Sequence, residues 1–492
     1  MTTPKHIVML PYMAQGHLIP IFHLAKLIEQ RYPDHTITIV NTPLNIQKLQ
    51  SSLPPNSNIH LIDLPFSSSN HGLPPNSENT GSLPAHQLPL LLLTTESFEP
   101  HFNLLISNMI KNGHRPVCII ADIFYGWTIN IAKTHNIFHA TYMPTGALGT
   151  AFFFSMWKHL PHKKTDSMEF NLPGFPPSFR LHRNRLSRFW RSSDGTDAVA
   201  MFYRKNIELS SISDAFLCNT VEEVETLGLQ ALRCNARDVP VYPVGPLVPL
   251  EGLITGKRLG EEFEACVQWL DSRSPCSVIY ICFGSESNIS ASQMMALAKG
   301  LEASGKPFIW VIKPPFGFAM KGEFRDEWLP EGFEERMRAS GQGLLVKTWA
   351  PQLEILGHKS TGVFVNHCGC NSLLESLSRG VPIISWPLAY DQFCVSKVMV
   401  EELGVCVELA KGVEDEVECA EVERVIGLVL DGEKGEEMKR KALKCMEMMR
   451  EAMKDNGDVK GSSLTALDEF IKCVSVSRCS TRGICSKSTL SI

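Results

Sequence analysis

Two doubly wound α/β domains facing each other across a cleft are the architecture this sequence predicts, on three observations. Short β-branched runs alternate with segments of helical period almost from the first residue. A Pro- and Gly-rich stretch without periodicity interrupts that alternation near the middle, and the alternation then restarts. At 492 residues the chain is long enough for two parallel sheets, each with helices on both faces and its own core.

In the first half, His6 to Leu10 reads as a buried strand. His17 to Gln30 follows as a helix with Leu18, Ile21, Phe22, Ala25 and Ile28 on one side. Strands are then expected at Thr36 to Val40, Ile59 to Leu64, Val117 to Ala121 and Phe138 to Tyr142. Residues 1–245 form the first domain on this reading. Pro243, Gly245, Pro246, Pro249, Gly252 and Gly256 mark a linker, bounded at 246–262. The second domain, 263–473, has strands at Ser277 to Phe283, Pro307 to Ile312, Leu344 to Lys347, Gly362 to Val365 and Pro382 to Ser385. Its helices fall at Gln293 to Glu302, Asn371 to Arg379, within Glu421 to Lys454, and at Ser463 to Cys473, the last able to pack back on the first domain. The Ser- and Cys-rich remainder, 474–492, reads as a disordered tail.

Composition narrows the function classes. Hydrophobic residues at 44% and charged residues at 20% describe an ordinary globular chain. The net charge of -5 offers no basic field, so nucleic acid is not an expected partner. No signal-peptide core follows the N-terminus. The least charged stretch, Ile137 to Trp157, carries His139, Thr141, Pro144, Gly146 and Gly149, so no membrane span is expected. Fifteen cysteines are scattered without any C-x-x-C pair, which reads as reduced thiols. A cytoplasmic monomer is expected.

In doubly wound sheets, ligands bind in the turns beyond the carboxyl ends of strands. The turn after the first strand has no G-x-G-x-x-G, and no G-x-S-x-G elbow occurs. Gly300 to Lys306 resembles a P-loop but runs from helix into strand, with Pro307 where Ser or Thr is needed. One segment is dense with chemistry: Trp349-Ala-Pro-Gln352, then Asn366-His367-Cys368-Gly369-Cys370-Asn371-Ser372-Leu-Leu-Glu375, then Trp386-Pro-Leu-Ala-Tyr390-Asp391-Gln392. A strand runs into a polar turn that opens a helix, whose backbone N–H groups with His367, Asn371 and Ser372 form a diphosphate site. Glu375, one turn in, suits two ribose hydroxyls. Trp349 could stack a flat base, and Asp391 and Gln392 could hold sugar hydroxyls.

The span from Trp349 to Gln392 resembles the signature box of the plant secondary product glycosyltransferases, family 1 of the UDP-dependent glycosyltransferases. Pro11 to Pro20, Asp122 with Trp127, Trp269-Leu-Asp271, Ile281-Cys-Phe-Gly-Ser285 and Leu329-Pro-Glu-Gly-Phe333 are similar to that family too. The resemblance implies a GT-B fold of two Rossmann-like domains, with the acceptor on the first and the nucleotide sugar on the second. It implies that Trp349 stacks uracil, Gln352 contacts it through its backbone, and Glu375 holds the ribose. His367, Asn371, Ser372 and Ser285 would hold the diphosphate, Asp391 and Gln392 the sugar, with Thr145 able to touch the sugar. Cys370 stands where the family usually has Trp, near the sugar's far hydroxyls. In that family a terminal Gln, here Gln392, goes with glucose donors, so UDP-glucose is the expected co-substrate, and Cys370 leaves a pentose or glucuronic donor as alternatives.

His17 and Asp122 end two strands and can face one cleft. A carboxylate on one imidazole nitrogen fixes the tautomer and stabilises the imidazolium, and the family pattern assigns the pair this general-base role in an inverting transfer. No D-x-D pair ends a strand, so no metal and no cofactor are expected. Tyr12, Met13, Phe124, Tyr125, Phe152 and, across the cleft, Tyr390 are candidate acceptor walls, though each could equally be core. They suit a small apolar aglycone, a flavonoid or other phenolic first and a triterpenoid or other terpenoid next, with attachment to carbon also open. A nucleotide-sugar binder without catalysis would need a broken base. A nucleotide-dependent oxidoreductase would need the missing glycine fingerprint.

Overall fold

The structure, a computed structural model, describes residues 5–248, 261–319, 322–457 and 459–476. Seven parallel strands form the first sheet, in the order Ile59–Asp63, His35–Asn41, Lys5–Leu10, Pro116–Asp122, Phe138–Met143, Ala215–Cys218, Val241–Pro243. Six parallel strands form the second: Gly343–Val346, Phe308–Val311, Val278–Cys282, Thr361–Asn366, Ile383–Ser385, Cys406–Glu408. Both are doubly wound. In each, the chain starts at an inner strand, builds outward on one side, then crosses back to build on the other. The crevice between those two inner strands is the switch point, where ligands bind.

The alternation read from sequence holds because the central strands are continuous apolar runs. Ile7, Val8 and Met9 have no exposed surface, nor do Ile279, Tyr280 and Ile281, as expected of strands covered by helices on both faces. Three short strands were not legible: Ala215–Cys218, Val241–Pro243 and Cys406–Glu408 have only three or four residues each, too few to show periodicity. A small antiparallel hairpin, Glu169–Asn171 with Arg180–His182, was not foreseen either.

Two expected boundaries are corrected. Val244 and Leu247 are buried in the first core, so the first domain packs beyond residue 245, and the second domain's first helix opens at Glu261. Residues 249–260 lie outside the described residues. The last helix, Ser462–Val476, extends three residues into the expected tail, because Val474 still has core to cover; 477–492 lie outside the described residues.

That helix returns to the first domain. Leu467, Phe470, Ile471 and Val474 join the cluster of Ile7, Ile37, Val117 and Tyr142, with Phe470 edge-on to Phe138 at 6.0 Å and to Tyr242 at 5.8 Å. Arg31 supports the crossing by donating to Asp455 at 2.7 Å. The first described strand and the last described helix thus share one core. Phe470→Ala removes a fully buried ring and is expected to lower stability to denaturant by about 3 kcal/mol. An unfolding midpoint unchanged from wild type would contradict this packing role.

Candidate functional site

The strand Lys5–Leu10 leads into the helix Gln15–Arg31, and Pro116–Asp122 is its neighbour across the switch point. His17 therefore enters the crevice from one strand end and Asp122 from the other. His17 Nδ1 donates to Asp122 Oδ2 at 2.6 Å. Asp122 Oδ1 accepts from the Phe124 backbone N–H at 3.1 Å, so both carboxylate oxygens are held. The Asp122 side chain is fully buried, while that of His17 is 16% exposed. Burial pulls the imidazole down, but the Asp122 charge and hydrogen bond, with the Glu286 charge, leave His17 above its ordinary value. Since a carboxylate only accepts, Nδ1 carries the proton and Nε2 presents its lone pair.

The second domain repeats the device. Its two switch-point strands, Val278–Cys282 and Thr361–Asn366, end in the turns holding Ser285 and His367. A Cβ at Gly284 would lie 2.7 Å from the His367 ring and one at Gly369 2.5 Å from it, so the two glycines make room for the imidazole. Burial, and then Lys313, push His367 down to about 4, which makes it a neutral hydrogen-bonding group. The cationic charge here belongs to Lys313, whose Nζ donates to Gly284 O at 2.7 Å. The turn is tightened by the Cys368 N–H on Asn366 Oδ1 at 2.7 Å, with Cys368 at φ 62. Helix Cys370–Leu377 then opens with no side-chain cap, leaving its first N–H groups available.

Asn371 joins the two crevices. Its Nδ2 donates to Gly16 O at 2.8 Å, one residue from His17, and its Oδ1 faces Asn219 Nδ2 at 3.4 Å. Ser372 is buried beside it. Glu375 accepts from Gln352 Nε2 at 2.5 Å, and Tyr280 OH donates to Gln352 Oε1 at 3.1 Å. Burial raises Glu375 to about 7. Trp349 stands at the lip, 58% exposed. Asp391 is also raised to about 7, by burial and then by Glu225, and a side chain at Gly149 would overlap its Oδ2. Gln392 Oε1 accepts from the Leu388 and Ala389 N–H groups, fixing the turn that carries Asp391. Thr145, before the helix Gly146–His159, pairs with Thr150 at 3.2 Å. Cys370 and Glu225 both lie against Gly146, and the Cys370 thiol is raised by burial, then by Glu225, Cys218 and Asp391.

Above His17, the expected acceptor residues separate into two groups. Tyr12 and Phe124 flank the imidazole at 5.2 and 5.5 Å. Tyr390, 40% exposed, closes the far side, with its carbonyl accepting from Trp190 Nε1 at 3.1 Å. Met13, Tyr125 and Phe152 are buried and pack behind this wall, Tyr125 against Trp127 and Phe152 against Trp190. The helix phase turns Phe153, not Phe152, toward Phe124 and Tyr203, at 6.5 and 5.0 Å.

Comparison with known proteins accounts for this arrangement. Residues 235–442 match the family described as UDP-glucoronosyl and UDP-glucosyl transferase. Crocetin glucosyltransferase 3 of Crocus sativus is 47% identical over 88% of this chain and 92% of its own length. The chain belongs to the plant UDP-dependent glycosyltransferases of family 1. UDP-glycosyltransferase 92A1 of Arabidopsis thaliana is 44% identical, over 94% of this chain and 96% of its own. The solved structure of Medicago truncatula UGT71G1 complexed with UDP-glucose is 27% identical, covers 96% of this chain and 98% of that one, and superposes with a TM-score of 0.79. The fold is GT-B, and the protein is an enzyme that transfers sugar from a UDP-sugar to small molecules.

Several residues of this transferase escaped the sequence reading. Lys313 follows the strand Phe308–Val311, and Glu225 precedes the helix Thr226–Ala236; neither lies in a motif. Tyr203 comes from the helix Ala198–Ser210. Among the described residues no helix is long and apolar enough to cross a membrane, no cluster of His, Cys, Asp or Glu could hold a metal, and no cysteine is in a disulfide.

Two expectations follow. Asp122→Asn removes the charge that raises His17, so the acidic limb of kcat/KM moves to lower pH while the plateau falls about 100-fold or more. An acidic limb that stays in place would contradict the pairing. Second, hydroxyls donating to Glu375 and Asp391 favour their charged forms, so UDP-sugar binding near pH 7 should release protons. Calorimetry in buffers of different ionisation enthalpy reads this directly, and proton uptake would contradict it.

Proposed function

We propose that this enzyme transfers glucose from UDP-glucose, with inversion, to a hydroxyl of a flat apolar acceptor, a flavonoid or other phenolic. The observation that carries the reading is the 2.6 Å His17–Asp122 bond, with the next residue to His17 tied to the donor helix through Asn371. His17 Nε2 takes the proton from the acceptor hydroxyl, and the oxygen attacks the anomeric carbon. The bond from that carbon to the diphosphate oxygen breaks, and UDP leaves with the electron pair. A single displacement from the side opposite the leaving group inverts the centre. General-base assistance of this kind is worth roughly 100- to 10,000-fold.

Developing charge on the diphosphate is met by Lys313, the His367 N–H and the open N–H groups of helix Cys370–Leu377, a set of donors that calls for no divalent metal. The donor's far end supports glucose over glucuronic acid. Glu225 and Asp391 are the carboxylates acting on Cys370, so a sugar carboxylate beside it would meet like charge. The rings of Tyr12, Phe124, Phe153 and Tyr203 favour a planar aromatic acceptor over a terpenoid one.

Incubation with a phenolic and terpenoid panel, in EDTA, with UDP-glucose or UDP-glucuronate tests the reading. It predicts β-glucosides of phenols, and at least tenfold lower kcat/KM with UDP-glucuronate. An α-linked product, or a preference for UDP-glucuronate, would contradict it.

A further inference from the structure

Glu286 is a charged group that the catalytic scheme above does not use. It follows Ser285 in the turn after the strand Val278–Cys282, yet its partner lies in the other domain: Thr80 Oγ1 donates to Glu286 Oε1 at 2.5 Å. Thr80 is itself fixed, since its N–H donates to Met13 O at 3.0 Å in the turn between Tyr12 and His17. The carboxylate is therefore held over the acceptor side of the crevice by a segment that is itself bonded to the turn leading to His17. Its charge reaches Tyr12, His17, Tyr203 and Tyr390, the groups that surround an acceptor there. Among the described residues Oε2 accepts no hydrogen bond, and no Lys or Arg pairs with the group.

An unpaired carboxylate in a mainly aromatic chamber has two consequences for what enters. It gains a charge-assisted hydrogen bond from any hydroxyl brought beside it. It also opposes a second carboxylate, which would share the space without a cation between them. We propose that Glu286 selects the acceptor: it accepts a hydrogen bond from a second hydroxyl on a polyhydroxylated aglycone, and it excludes carboxylic acids as acceptors. This rests on the reading of the crevice as the site of transfer to a hydroxyl.

Glu286→Gln isolates the charge. The amide oxygen can still accept from Thr80, while the other atom becomes an NH2 that cannot accept. Three acceptors on one flat ring skeleton serve as probes: a dihydroxylated form, a monohydroxylated form, and a carboxylic acid without hydroxyls. Wild-type enzyme should use the acid at least tenfold less well than the monohydroxylated form. In the variant, kcat/KM for the dihydroxylated form should fall about tenfold relative to the monohydroxylated one, and the acid should gain at least fivefold on it. Thr80→Val, which frees the carboxylate without removing it, should lower all three together. A Glu286→Gln effect of one factor on all three would overturn the proposal, marking the residue as acting on His17 or on domain closure. Wild-type transfer to the acid but to neither hydroxyl acceptor would overturn the underlying reading as well.

Discussion

Two sheets wound in the same order, with their switch points brought together, are the constraint on which the rest of this enzyme depends. A switch point is where a doubly wound sheet leaves its strand-end N–H groups and turns uncovered. Here His17 and Asp122 occupy one, and Ser285 and His367 border the other. The Asn371 amide on the Gly16 carbonyl fixes the distance between them. The turn that holds His17 and the helix Cys370–Leu377, in separate domains, are thereby joined by a hydrogen bond. The last helix returns to the first core and so ties the end of the second domain to it.

Electrostatics in the crevice follows from burial more than from formal charge. His17 is raised because Asp122 outweighs its desolvation, while His367 is lowered because nothing does. Glu375 and Asp391 are each raised to about 7, chiefly by burial. The two switch-point histidines are thus shifted in opposite directions. A net charge of -5 is compatible with an anionic co-substrate because Lys313 and the helix end act locally.

The sequence made legible what is short-range or densely patterned. The buried strands beside each switch point announced themselves as apolar runs, and the segment from Trp349 to Gln392 carried its chemistry in consecutive turns. What it hid is long-range. Phe152 and Phe153 are neighbours in a run of three phenylalanines, and only the helix's packing decides which ring faces the crevice. Glu286 and Thr80 are far apart in the chain and meet only after both domains have folded and closed. Glu225 looks like any surface carboxylate until the helix Gly146–His159 lays its first N–H groups on it, at 3.1 Å from Ala147 and 3.3 Å from Leu148. Short strands of three or four residues fall below the length at which periodicity can be read.

The central claim is that Asp122 holds His17 as the Nδ1–H tautomer, with Nε2 open toward the crevice. Nitrogen-15 NMR of the imidazole, assigned by comparison with His17→Gln, tests it most directly. The account predicts the Nδ1–H tautomer above the His17 pKa, and a titration midpoint above the ordinary 6.5. An Nε2–H tautomer, or a midpoint below that value, would contradict it.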